Sequence, residues 1–163
     1  MATSDLTQMQ HPTCRALALS LATTSALIAP VQAAEHILSA PQIAEALQSG
    51  EMVLLDIRSE AEWRETGLAE GAWPVSMHTA DFSRQLQAVF GRYAPGQVAI
   101  ICATGGRTGH VAKILKKNGI DGVIDVSEGM IGNHRGPGWL ARKMPTVSLD
   151  EARRAMDEAF PGL

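Results

Sequence analysis

The chain is short of several things that would have assigned it elsewhere. Two cysteines in 163 residues, Cys14 and Cys102, are too few for a disulfide scaffold. Basic residues are not in surplus: net charge is -3 with Lys and Arg scattered, so there is no basic face for a nucleic-acid backbone. No Ser-His-Asp order or metal-ligand spacing emerges, since His78, His110 and His134 stand apart from other ligand types, and no metal or organic cofactor is expected. There is no internal repeat, and no apolar run reaches the roughly 20 residues that span a bilayer. The apolar run Ala16 to Ala29, of about 14 residues, follows Arg15 within a stretch that stays free of charge up to Glu35. With Val31 and Ala33 as small residues before a cleavage point, residues 1–33 read as a signal peptide removed on export, and 34–163 as a single domain with no stable membrane insertion. The alternative is an uncleaved amphipathic or disordered leader. Export in a bacterium would place the protein in the periplasm. Cys14 would leave with the leader, so Cys102 would have no internal disulfide partner.

What is present is an apolar fraction of 45%, enough for one buried core, and an alternation of helix-like and strand-like segments. Ser39 and Pro41 open a helix over 42–48 that Gly50 stops. A buried strand is expected over Met52–Ile57, and Ser59 with Glu62 forms a capping box for a short helix through Glu65 that Gly67 ends. Trp73–Met77 suits a second strand. Phe82, Leu86, Val89 and Phe90 recur at helical spacing within 81–90. Val98–Ile101 is an uninterrupted apolar run, as for a central parallel strand covered on both faces. A helix from Arg107 or Thr108 to Asn118, a strand over Val123–Val126, a glycine-rich loop over Gly129–Gly138 and a helix over Leu149–Ala159 capped by Ser148 and Glu151 complete the chain. The expected fold is α/β, with a mainly parallel central sheet flanked by helices on both faces.

The segment Val98–Thr108 (VAIICATGGRT) puts Cys102 at a strand's carboxyl end, followed by a small-residue loop and a helix start. Gly105 and Gly106 permit a tight turn, so that the N–H groups of Ala103, Thr104, Gly105, Gly106, Arg107 and Thr108 can converge on an anion at the helix's positive end. Such a cradle favours a thiolate and would stabilise a persulfide left on it. The dull reading, a cysteine merely buried at a strand end, does not require this loop.

Here the sequence resembles the rhodanese family over nearly all of residues 34–163. Asp56-Ile57-Arg58-Ser59 with Trp63, Gly67 and Gly71-Ala72 resembles its first signature, Cys102–Thr108 its active-site loop, and Glu128-Gly129, Trp139 and Met144-Pro145 its closing segment. The resemblance implies a sulfurtransferase in which Cys102 takes sulfane sulfur from a small donor and passes it to a thiol, cyanide or protein acceptor. Only four residues, Ala103 to Gly106, separate Cys102 from Arg107. Cysteine phosphatases and related arsenate reductases have five there, and the shorter cradle suits sulfur better than phosphate. Ala103 stands where many rhodaneses have an Arg that holds the sulfonate of thiosulfate, and Leu68 where many have a His. A non-catalytic module that binds a partner or senses oxidants through Cys102 is the second reading.

The resemblance also suggests roles for other residues. Asp56 and Arg107 are expected to support the loop, with Arg107 open to contact with substrate oxyanions. Arg58 is a candidate for the pocket rim, against a solvated charge beside a helix cap. The stretch Gly129–Trp139 should overhang the Cys102 loop, and His134 and Arg135 could then bind an anionic donor in place of the missing Arg. Their alternative is two polar tips of a solvated loop.

Overall fold

A computed structural model of the chain describes residues 36–163; the leader and cleavage expectations for 1–33 lie outside the described residues. Six strands and six α-helices, with a 3-10 turn at Pro95–Gln97, make up the described residues. Helix α1 (Ala40–Gln48) starts at Ser39, whose Oγ and backbone N–H both donate to Gln42 Oε1. Strand β1 (Val53–Asp56) leads into α2 (Glu60–Thr66), where Ser59 and Glu62 form the expected reciprocal cap. Strands β2 (Leu68–Ala69) and β3 (Ala72–Pro74), helix α3 (Phe82–Phe90) and strand β4 (Val98–Ile101) follow. Helix α4 (Gly106–Lys117), β5 (Ile124–Asp125), the short α5 (Gly138–Ala141), β6 (Thr146–Val147) and α6 (Leu149–Ala159) complete the order.

The main sheet is parallel throughout, in the order β3-β1-β4-β5. Alternation sorts its central strands onto two apolar layers. Leu54, Ala99 and Ile101 pack with Ile43 of α1, Trp139 of α5 and Ala152 of α6. Leu55, Val98 and Ile100 pack with Val89 of α3, Val111 and Leu115 of α4 and Met156 of α6. Helices therefore cover both faces, and β4, paired on both edges and buried at all four residues, is the central strand expected of its composition. Among the described residues no helix is long and apolar enough to cross a membrane.

Several elements depart from the sequence reading. The second strand is Ala72–Pro74 rather than Trp73–Met77, although Val75 N–H and Met77 N–H still donate to Asp56 O and Ile57 O beyond its end. The two-residue strands β2 and β6 form a separate antiparallel pair, Leu68 opposite Val147 and Ala69 opposite Thr146, too short for any alternation pattern to announce. The glycine-rich loop ends where α5 begins, at Gly138. Helix α4 also starts one residue early, at Gly106, because Gly105 takes the left-handed conformation (φ +80°) that turns the chain into it.

Candidate active site

Cys102 is the first residue past β4, 1% exposed, on the floor of the loop that joins the strand to α4. The Gly105 N–H donates to Cys102 Sγ at 3.2 Å, and the hydroxyl of fully buried Thr108 lies 3.9 Å from the sulfur while donating to Gly105 O at 2.9 Å. The sulfur thus sits at the amino end of a 12-residue helix with a backbone donor aimed at it. Thr104 and Gly106 are exposed and Ala103 and Gly105 half-buried, so the outer side of the loop faces solvent.

Two neighbours hold this loop. On one side, Arg107 donates from both terminal nitrogens to the Glu62 carboxylate, at 2.8 and 2.5 Å. The Arg107 hydrogen bond is the main reason the Glu62 carboxyl is pulled down to about 2; burial opposes it, and Ser59 adds to it. Arg107 is correspondingly held more firmly charged, by Glu62 first and, to a lesser degree, by the proximity of Cys102. His78 Nε2 lies 3.4 Å from the same guanidinium.

On the other side lies the segment after β5. Met130 N–H donates to Cys102 O and Ile131 N–H to Ala103 O, both at 2.8 Å, and Asn133 Nδ2 donates to Thr104 O at 2.7 Å. The stretch Gly129–Trp139 therefore does lie over the Cys102 loop. The fit is tight in both directions. A Cβ on Gly105 would stand 1.9 Å from Ser127 O, and one on Gly129 2.4 Å from Ala103 O. Buried Glu128 anchors the segment from behind. Burial pushes its carboxyl up, but hydrogen bonds from Ala40 N–H, Arg142 and Gly138 N–H outweigh this and hold it below the ordinary range.

Three expectations need correction. Arg58 is not at a pocket rim: it is 1% exposed, forks onto Asp56 at 2.7–3.0 Å, and donates to Thr66 Oγ1 and Gly67 O at the end of α2. A guanidinium this far from water needs a carboxylate, and Asp56, two residues away, is close enough to provide it. Asp56 in consequence does not brace the 102–108 loop; Glu62 does, through Arg107. Nothing local marks that role, because the capping box already accounts for Glu62. His134 and Arg135 are exposed at the tip of a turn closed by Asn133 and Gly136, and it is Asn133 that reaches the Cys102 loop.

Residues 39–132 match the model of the rhodanese-like domain, and the chain belongs to that family. Among solved structures it is similar to a polysulfide-sulfur transferase homodimer from Wolinella succinogenes, at 22% identity over 69% of this chain and 77% of that one, with a TM-score of 0.52. It is also similar to Rv0390 from M. tuberculosis, at 25% identity over 67% and 94%, with a TM-score of 0.46. No curated protein matches.

Proposed function

We propose that the protein is an exported, single-domain sulfurtransferase that carries sulfur on Cys102. The observation that carries this reading is the Gly105 N–H on Cys102 Sγ, 3.2 Å away at a helix amino end in a rhodanese-like domain. In the first half-reaction the Cys102 thiolate attacks the sulfane sulfur of a donor. A Cys–S–S bond forms, the donor's S–S bond breaks, and the donor leaves as its thiolate or sulfite. In the second, an acceptor thiolate or cyanide attacks the outer sulfur, and Cys102 leaves as the thiolate that the same N–H stabilises. No net oxidation occurs, and the order is ping-pong.

The donor proposed is a persulfide or polysulfide rather than thiosulfate. Position 103 is an alanine, both terminal nitrogens of Arg107 are on Glu62, and Arg58 is buried against Asp56. No guanidinium of these three positions is left to hold a sulfonate. Export rests on the leader pattern of residues 1–33.

The test is intact mass after incubation with a small-molecule persulfide and, separately, with thiosulfate, beside Cys102→Ala. A reducible gain of about 32 Da per sulfur on wild type alone is expected, with the persulfide labelling faster. If neither donor labels a folded protein whose Cys102 still alkylates, sulfur transfer is wrong and an oxidant-sensing or binding module takes its place.

A further inference from the structure

We propose that Asn133 is a positioning residue for the nucleophile: its side-chain amide holds the Thr104–Gly105 peptide in the one orientation that aims the Gly105 N–H at Cys102 Sγ. This rests on the reading of Cys102 as the nucleophile and adds a residue to it. Asn133 lies one position past the end of the family match at 132, in the segment that follows β5.

In a planar trans peptide the C=O of one residue and the N–H of the next point in opposite directions, so fixing one fixes the other. Cys102 O, Ala103 O and Thr104 O are all drawn outward onto the 130–133 segment, by Met130 N–H, Ile131 N–H and Asn133 Nδ2. The amides that follow each carbonyl are thereby turned the other way, and for Gly105 that is toward the sulfur, at 3.2 Å. The first two carbonyls are held by backbone donors. The third, on the peptide that serves the sulfur, is held by a side chain.

This peptide needs holding more than its neighbours do. Gly105 sits at φ +80°, and glycine crosses between conformations with little steric cost, so the Thr104–Gly105 peptide could rotate without a clash of its own side chain. Asn133 is in turn fully committed. Its Nδ2 donates to Thr104 O and to Ser127 O, each at 2.7 Å, and its Oδ1 accepts from Arg135 N–H at 2.7 Å. Two carbonyls that only accept and an N–H that only donates leave one orientation for the amide. The turn closed by Asn133 N–H to Gly136 O at 2.8 Å fixes the backbone that carries it.

The experiment compares Asn133→Ala, Asn133→Ser and, as a stability control, Ser148→Ala, which removes the α6 cap outside the site. Two rates are read on the full-length chain at one pH: iodoacetamide alkylation at the Cys102 peptide, and sulfur uptake from the small-molecule persulfide. Thermal melts are run alongside. Loss of a preorganised donor to a reacting anion predicts both rates down about tenfold or more in Asn133→Ala. Asn133→Ser, with a hydroxyl able to donate to one carbonyl, should recover part of the loss, and Ser148→Ala should keep wild-type rates despite its lower melting temperature. Rates in Asn133→Ala within about twofold of wild type, or an equal fall in Ser148→Ala, would overturn the assignment. Should Asn133→Ala not fold, Asn133→Ser against Ser148→Ala carries the same comparison. Wild type that alkylates in an Asn133-dependent way but takes up no sulfur would sink sulfur transfer and leave the positioning role standing. Normal uptake in every variant would do the reverse.

Discussion

The two sides of the Cys102 loop are held by different physics. On the α2 side the hold is ionic: Arg107 on Glu62 at 26–30% side-chain exposure, with α2 itself pinned from beneath by the buried Arg58–Asp56 pair. On the 127–136 side it is close packing of backbone, through two left-handed glycines and three donors onto consecutive carbonyls. The first kind responds to pH and salt; the second is largely blind to both and intolerant of a single added methyl. The loop that places the Gly105 N–H on Cys102 Sγ is thus secured by one adjustable contact and one rigid one.

The largest effect is expected beneath α2. Asp56→Ala leaves a 1%-exposed guanidinium without its carboxylate, and a loss of about 3–5 kcal/mol in urea unfolding is expected. A loss below about 1 kcal/mol would mean that Thr66 and Gly67 alone satisfy Arg58, and that the pair is no foundation for the ionic side. Next comes the packed side. Gly105→Ala meets Ser127 O at a positive φ and should cost about 2–4 kcal/mol. Adjacent Gly106→Ala, with nothing within 4 Å of the new methyl, should be neutral or slightly stabilising at a helix position. Similar unfolding midpoints for the two variants would show that the packing is loose.

The smallest effect at neutral pH is that of Glu62→Gln, which keeps a capping side chain and removes a half-exposed ion pair worth about 1 kcal/mol or less. Its signature is pH. Glu62 titrates at about 2 in the folded protein against an ordinary 4.5, so the unfolded chain binds the proton first and wild-type stability falls as pH drops from about 4.5 toward 2. Melting temperatures followed through that window should fall less steeply in Glu62→Gln. Parallel curves would remove Glu62 from the ionic side.

Much of the fold was legible because its signals are local. The capping boxes at Ser59 and Ser148, the apolar run of β4 and the glycine punctuation at 50, 67 and 119 each follow from a few adjacent residues. The place of Cys102 between strand and helix was legible for the same reason, since strand, cysteine, glycine turn and helix start are consecutive. Strands β2 and β6 were not, because two residues carry no period. The roles of Asp56 and Arg58 were misread for a related reason: a spacing of two residues shows that a carboxylate and a guanidinium can meet, and says nothing of whether they meet in solvent or in the core.

By itself, then, the sequence determined the α/β order of elements, the central strand and the placing of Cys102 at its carboxyl end, all consequences of neighbour spacing and side-chain type. Only the tertiary structure decided which carboxylate holds Arg107, that Arg58 is buried, and that Asn133 rather than His134 or Arg135 reaches the loop. Those contacts join residues 45 and 29 positions apart, Glu62 to Arg107 and Thr104 to Asn133, and such pairs become neighbours only when the parallel sheet brings its strand ends together.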